Sequence, residues 1–158
     1  MASDLLISEA PLAFRQIDDS ETPNLGTGSH GTRHSSAKHC PVLIVEDDAD
    51  LREMMAQLLS LEGFDAATAA NGREALQYLK KGNKPDVILL DLMMPVMDGW
   101  EFWRAQQADP ELAQVPVIAL SALDQTAANQ RQPLDVAAFL KKPLDFDRLL
   151  QLVRQYCH

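Results

Sequence analysis

Short apolar runs alternate with helical patterns five times between Pro41 and the C-terminus, and this alternation limits the fold more than any other feature of the sequence. The first run, 42–45, is continuously apolar, which is typical of a strand buried on both faces of a sheet. The next segment has one apolar helical face, formed by Leu51, Met54, Met55, Leu58 and Leu59. Alternation of this kind predicts an α/β fold, a parallel sheet with helices on both faces.

The later elements are predicted by the same reasoning. Further strands are expected at 64–68, 87–90, 115–120 and 137–140. Further helices are expected after Asn71, from Gly99 and from Asp145. The fourth helix, within 124–135, should be short or poorly formed because this segment contains a proline and few apolar residues.

The first 40 residues differ in composition from the rest of the chain. Residues 20–39 are rich in Gly, Ser, Thr, Asn and His and have no apolar period, so we predict a flexible tail at 1–40 and one domain at 41–158. The G-x-G-x-x-G at 26–31 follows no strand and opens no helix, which argues against a dinucleotide site. The histidines nearby do not have the spacing of a compact zinc site.

The charge and hydropathy of the chain exclude several classes of protein. The chain has 158 residues with 14 Lys+Arg against 23 Asp+Glu, a net charge of −9, which argues against direct nucleic-acid binding. No apolar stretch approaches the ~20 residues of a membrane helix, and the N-terminus lacks the pattern of a signal peptide. We therefore expect a cytoplasmic protein without membrane insertion. Cys40 and Cys157 are too few for a disulfide scaffold and are expected to be reduced thiols.

The residues at the ends of the predicted strands carry the chemistry. Glu46 and Asp47 follow the first strand, Asp91 the third, Ser121 the fourth and Lys142 the fifth. Ligands of open α/β sheets bind beyond the carboxyl ends of the strands, so these side chains should line one crevice. Two carboxylates 4 Å apart repel by about 4 kcal/mol at an effective dielectric of 20. A cation must compensate at neutral pH, and Mg²⁺ is the hard divalent ion that suits few carboxylates and phosphate oxygens.

This set of residues predicts phosphoryl transfer to a carboxylate. A bound Mg²⁺ would screen Asp91 so that it attacks an anionic phosphoryl donor. Lys142 would neutralise the phosphoryl group, and the Ser121 hydroxyl would donate a hydrogen bond to it. Taken singly, such residues are usually solvated loop residues or helix caps, so the prediction depends on their lying together at one edge.

Four motifs carry a family resemblance. They are Leu43-Ile44-Val45-Glu46-Asp47-Asp48, Asp91-Leu92-Met93-Met94-Pro95-Val96-Met97-Asp98-Gly99, Ser121-Ala122 and Phe139-Leu140-Lys141-Lys142-Pro143. With them the chain from 41 to 158 resembles the receiver domain of two-component response regulators, of the CheY-like single-domain type. The resemblance implies a doubly wound, flavodoxin-like sheet with strand order 2-1-3-4-5. It also implies phosphoryl transfer from a sensor histidine kinase or a histidine phosphotransfer protein, and an unidentified downstream protein partner.

The resemblance assigns roles around a Mg²⁺ ion. Asp91 resembles the phosphoacceptor and Asp47 the direct acidic ligand of the metal. Glu46 would act beside Asp47 through water, and the main-chain carbonyl of Met93 would complete the protein's share of the coordination.

It also assigns the residues that respond to phosphorylation. Ser121 resembles the hydroxyl that moves toward the phosphoryl group, and Phe139 the aromatic switch residue that follows it. Lys142, rather than Lys141, resembles the active-site lysine, with a cis bond expected to Pro143.

Two departures from the family pattern bear on output. The segment between Ser121 and Phe139 is slightly short and lacks the usual Gly-Ala pair, which puts in doubt the usual output surface of fourth helix, fifth strand and fifth helix. No output domain follows in this chain, so we expect either action through a partner or a piece of a longer protein. Met93 and Leu123 should flank the phosphoryl group, and because both are apolar we expect slow hydrolysis.

Three other functions were weighed against this one. A dehalogenase-like phosphatase, which is an enzyme, needs an Asp two residues after the nucleophile, where this chain has Met93. A flavodoxin-like cofactor binder needs a phosphate-binding loop after the first strand, and here that loop is acidic. A degenerate receiver used only for docking is disfavoured by the complete set of site residues. The sequence therefore predicts a phosphoacceptor switch and not an enzyme.

Overall fold

The computed structural model describes residues 39–157, which form five strands and five α-helices in alternation. The strands are β1 (Pro41–Val45), β2 (Asp65–Ala69), β3 (Val87–Asp91), β4 (Val117–Ser121) and β5 (Ala138–Lys141). The helices are α1 (Ala49–Leu61), α2 (Gly72–Lys80), α3 (Gly99–Gln107), α4 (Gln125–Arg131) and α5 (Phe146–Tyr156). A single 3₁₀ turn, Leu112–Gln114, precedes β4. Apart from residues 39 and 40, the predicted tail lies outside the described residues, and its boundary stays a prediction.

All five strands are parallel and lie in the order β2-β1-β3-β4-β5. In the middle of the sheet, Leu43 of β1 lies opposite Ala67 of β2 and Ile88 of β3. The chain winds outward in one direction from β1 to β2 and in the other from β3 to β5. The predicted α/β fold and strand order are confirmed, and the reversal between β1 and β3 forms a crevice at the carboxyl ends of these strands.

The sheet separates two apolar clusters, because alternate residues of each strand face opposite sides. Leu43 and Val45 pack with α2, α3 and α4, whereas Val42 and Ile44 pack with α1 and α5. All five residues of β3 are buried, as expected for the central strand of a sheet that helices cover on both faces. No helix in the described part of the chain is long and apolar enough to cross a membrane.

Each α-helix begins after a residue whose side-chain oxygen accepts a hydrogen bond from the free backbone N–H groups of the first turn. These N-cap residues are Asp48, Asn71, Asp98, Asp124 and Asp145. The helix α4 has seven residues and buries only Ala128, which confirms the prediction of a short fourth helix.

The expectation of reduced thiols is wrong. Cys40 and Cys157 form a disulfide whose Cα atoms are 5.7 Å apart although 117 residues separate them in sequence. The parallel topology explains the pairing, because the start of β1 and the end of α5 lie at the same end of the sheet. Nothing in the local sequence around either cysteine indicates this proximity.

Candidate functional site

The strand register brings the predicted site residues to one edge of the sheet. Asp91 ends β3 opposite Leu120, and Ser121 ends β4 opposite Lys141. Glu46 follows β1 directly, and its backbone N–H still bonds to Ala69 of β2. The carboxyl ends of four adjacent strands therefore surround a single polar crevice, as the sequence predicts.

Three carboxylates converge in this crevice. One carboxylate oxygen from each of Glu46, Asp47 and Asp91 lies within 4.8 Å of the others. Glu46 is 1% exposed and Asp91 is 2% exposed, whereas Asp47 is open to solvent. A set of oxygen ligands with two buried carboxylates and one open side fits a hard divalent cation such as Mg²⁺, which retains several waters.

Lys142 lies between two of these acids. Its Nζ is 2.9 Å from Oε2 of Glu46 and 3.4 Å from Oδ2 of Asp91. Burial opposes the charge of the ammonium group, but the hydrogen bond to Glu46 and the charge of Asp91 outweigh it, so the pKa of Lys142 is raised. The expected cis peptide bond between Lys142 and Pro143 is present, and Lys141 is exposed.

The surroundings of Asp91 disfavour the charged form of its carboxyl group. Burial and then the charge of Glu46 raise the pKa of the Asp91 carboxyl from 3.8 to about 7. Lys142 and the backbone N–H of Met93, which donates to Asp91 Oδ1 at 3.2 Å, lower the pKa but do not cancel the increase. Lys142 therefore does not offset burial and the charge of Glu46 together, and a divalent cation would stabilise the ionised carboxylate.

The remaining predicted residues lie around this cluster. Ser121 is fully buried, and its Oγ accepts a hydrogen bond from the backbone N–H of Leu123 at 3.1 Å. Phe139 is partly buried and packs against the apolar cluster on the α2–α4 side. Met93 follows Asp91 by two residues and is 47% exposed. The metal-ligand role of the Met93 carbonyl and the switch role of Phe139 stay predictions.

Two arginines near the site were not identified from the sequence. The Nη1 of Arg52 donates to the carbonyl oxygens of Glu46 at 2.8 Å and Asp47 at 3.4 Å, so α1 holds the acidic loop. Arg131 lies 4.6 Å over the Trp100 ring, with Nη1 3.4 Å from the Met93 sulfur. The sequence does not indicate these contacts. The contact of Arg52 depends on the orientation of α1, and the contact of Arg131 with Met93 joins residues 38 apart.

Gly99 is required by close packing behind the site. A Cβ atom on Gly99 would lie 2.6 Å from the carbonyl oxygen of Asp91 and 2.6 Å from the Cα of Leu92. Backbone atoms cannot yield as a flexible side chain can. The glycine therefore lets α3 begin directly against the end of β3, which brings the loop between them close to Asp91.

Comparison with known proteins agrees with this geometry. The family model described as "Response regulator receiver domain" matches residues 42–154. The transcriptional regulatory protein SphR of Synechococcus elongatus is 35% identical over 123 residues, which cover 72% of this chain and 47% of SphR. The polar-differentiation response regulator DivK of Brucella anthropi is 30% identical over 116 residues, covering 73% of this chain and 94% of DivK.

Solved structures of receiver domains have the same fold as this chain. The receiver domain of the Francisella response regulator 1452 superposes with a TM-score of 0.67 at 32% identity, covering 75% of this chain and 96% of that one. The chain thus spans about half the length of SphR and nearly all of DivK and of this isolated receiver domain. Sequence, fold and site agree, and the chain belongs to the response regulator receiver domain family.

Proposed function

We propose that this receiver domain is a phosphorylation-operated switch in which Asp91 accepts a phosphoryl group from a phosphohistidine. The donor belongs to a sensor histidine kinase or a histidine phosphotransfer protein. An oxygen of the carboxylate forms the new P–O bond while the P–N bond breaks, and the imidazole nitrogen keeps the electron pair of that bond. The observation that carries the proposal is the buried Asp91 carboxyl at the end of β3, with Lys142 at 3.4 Å and the acidic side chains of Glu46 and Asp47 beside it.

The acidic cluster supports a role for Mg²⁺ in this transfer. Glu46, Asp47, Asp91 and the main-chain carbonyl of Met93 would hold the ion, with Glu46 acting through water. When bound, the ion supplies positive charge that stabilises the carboxylate and the anionic phosphoryl oxygens together. The buried position of Glu46 and Asp91 supports this role, because low solvent exposure strengthens each of these interactions.

Lys142 and Ser121 act on the phosphoryl group from the other side. In the unphosphorylated domain Lys142 bonds to Glu46, and we propose that it turns to the phosphoryl oxygens when these bring additional negative charge. The Ser121 hydroxyl gives up its position at the Leu123 N–H and donates to a phosphoryl oxygen. Phe139 then takes the space that Ser121 leaves, and the population shifts toward a second conformation.

The phosphorylated state is proposed to be long-lived. Hydrolysis requires a water molecule oriented for attack on phosphorus, and a polar side chain usually provides that orientation. Met93 and Leu123 follow Asp91 and Ser121 by two residues and are expected to flank the phosphoryl group; both are apolar and cannot hold such a water. Uptake and slow loss of the phosphoryl group are thus the only chemistry that we assign to this chain.

The outcome of phosphorylation is proposed to be a change in affinity for a downstream protein. The net charge of −9 disfavours direct contact with nucleic acid and is compatible with a protein partner. We propose the cytoplasm as the location of this domain, where it would meet the proposed phosphohistidine donor.

The test is phosphoryl uptake from a small donor. We would incubate the protein with acetyl phosphate, with Mg²⁺ or with EDTA, and measure intact mass beside Asp91→Asn and Asp50→Asn. The proposal expects one added phosphoryl group that requires Mg²⁺, appears in Asp50→Asn and is absent from Asp91→Asn. No uptake in any condition, or equal uptake by Asp91→Asn, would overturn the proposal and favour a domain that only docks.

A further inference from the structure

A second reactive group lies at the end of the sheet opposite Asp91. Cys40 directly precedes β1 and Cys157 directly follows α5, and the disulfide joins them with Cα atoms 5.7 Å apart. The parallel strands start at this end, so the disulfide is remote from the phosphoryl site. The covalent loop that the disulfide forms runs from the start of the first strand to the end of the last helix, so it contains nearly all the described residues.

The two cysteine residues differ in their exposure to solvent. Cys40 is 3% exposed and packs among the apolar residues between the sheet, α1 and α5. Cys157 is partly exposed and packs only at the margin of the same cluster. An attacking thiolate needs an open approach to one sulfur, so Cys157 is the point of attack and Cys40 the leaving thiolate.

A carboxylate lies next to the disulfide. An oxygen of Asp86 is within 4.8 Å of both sulfur atoms, and the backbone N–H of Asp86 donates to the Pro41 carbonyl at 2.7 Å. The adjacent strand start contributes Asp65, whose Oδ2 is 3.3 Å from Nδ1 of His39. A negative charge at about 5 Å repels an attacking thiolate, more strongly when the reagent also carries a carboxylate and less when it carries an ammonium group.

We propose that Cys40 and Cys157 form a reversible thiol–disulfide exchange site for small thiols. In the oxidised form, the disulfide links the end of α5 covalently to the start of β1. A thiolate RS⁻ attacks the Cys157 sulfur, giving a mixed disulfide and the Cys40 thiolate. A second RS⁻ attacks the outer sulfur of the mixed disulfide, releasing RSSR and the Cys157 thiolate. Two protons from the two RSH molecules end on the cysteines, so the protein gains two electrons and the small thiol loses two.

The noncovalent contacts of α5 indicate how local the effect of reduction is. The Tyr156 hydroxyl donates to the Ala137 carbonyl at 3.0 Å, and Arg154 lies 2.6 Å from Glu62. Leu149 and Val153 are fully buried, so the body of α5 stays packed without the disulfide. Reduction therefore loosens only the end of the helix at Cys157, whose N–H bonds to the Val153 carbonyl, and leaves the rest of α5 and the Asp91 crevice unchanged.

The first experiment measures reduction of the folded 158-residue chain by thiols of different charge. Mercaptoacetate, mercaptoethanol and cysteamine serve as anionic, neutral and cationic reagents, and maleimide labelling with intact mass counts the free thiols. We expect cysteamine to react faster than mercaptoacetate at equal thiolate concentration, and Asp86→Asn to narrow this rate ratio by about threefold. Asp50→Asn, the same charge change at the opposite end of the sheet, should leave the ratio unchanged.

The second experiment measures amide hydrogen exchange in the oxidised and reduced protein. We expect faster exchange at the Cys157 amide after reduction and no change in the residues around Asp91. A Cys40→Ser, Cys157→Ser variant should show the reduced pattern with or without thiol, and if it does not fold the wild-type comparison suffices. The proposal would be overturned by any of three results. They are reaction with thiols only after the protein unfolds, a cysteamine-to-mercaptoacetate rate ratio that Asp86→Asn does not change, and identical amide exchange in the oxidised and reduced protein.

Discussion

Asp91→Asn should stabilise the protein in the absence of divalent cations. The pKa of Asp91 is raised to about 7 in the folded protein, from an ordinary value of 3.8. Between these values the folded chain binds a proton that the unfolded chain has lost, so the stability of the wild-type protein falls as the pH rises through this window. An asparagine has no charge to lose, and its side-chain oxygen still accepts the Met93 N–H.

The magnitude follows from the size of the pKa change. A shift of about three pKa units corresponds to about 4 kcal/mol if fully realised. The variant also loses the 3.4 Å contact with Lys142, which offsets part of this gain. We therefore expect a net gain for Asp91→Asn of about 1–2 kcal/mol at pH 8. The gain should shrink to less than half at pH 5, where the wild-type carboxyl is protonated in the folded protein.

Urea unfolding in EDTA, followed by the fluorescence of Trp100 and Trp103, measures this difference. Both proteins are kept oxidised so that the disulfide contributes equally to each free energy of unfolding. Added Mg²⁺ should stabilise the wild-type protein and have little effect on Asp91→Asn, and Asp50→Asn controls for the loss of an exposed charge. A variant that is no more stable than wild type at pH 8, or whose advantage is the same at pH 5, would refute the reasoning.

Three further changes test other contacts of the site. Lys142→Met leaves Glu46 buried without its cation and should slow phosphoryl uptake at least about tenfold, measured by intact mass against acetyl phosphate. A Met93→Asn, Leu123→Glu double variant supplies polar groups to orient water and should shorten the phosphoryl lifetime about tenfold; a lifetime equal to the parent's contradicts the proposed slow hydrolysis. Gly99→Ala forces a Cβ against backbone and should cost about 1–3 kcal/mol in urea unfolding, where an unchanged midpoint would disprove the close contact.

The fold and the composition of the site were predictable because both depend on local pattern. Continuous apolar runs identify buried strands, and in a parallel sheet the residue after each strand lies at one edge. Asp91 and Ser121 therefore come together once the strands are located. The short α4 was predictable for a similar reason, because few apolar residues in its segment leave little to bury.

What could not be predicted depends on contacts between distant parts of the chain and on the orientation of individual helices. The 2.9 Å hydrogen bond between Lys142 and Glu46 joins residues 96 apart. From the sequence, the predicted partner of this lysine is only the phosphoryl group. The disulfide between Cys40 and Cys157 was missed because it depends on where the last helix ends relative to the first strand. The contacts of Arg52 with the acidic loop depend on the rotation of α1, which a helical period alone does not set.

The helix caps have a consequence for the order in which ligands reach the site. Each α-helix directs its positive dipole end toward the carboxyl edge of the sheet, where four aspartates and one asparagine cap those ends. The capping charges cancel much of the field that would otherwise draw anions inward, and the three acids of the crevice make the rim negative. Such a rim concentrates cations and repels phosphorylated donors. We therefore expect a bound divalent cation to neutralise most of the negative charge of the crevice before an anionic donor approaches, so that the rate of encounter depends on ionic strength as well as on the donor.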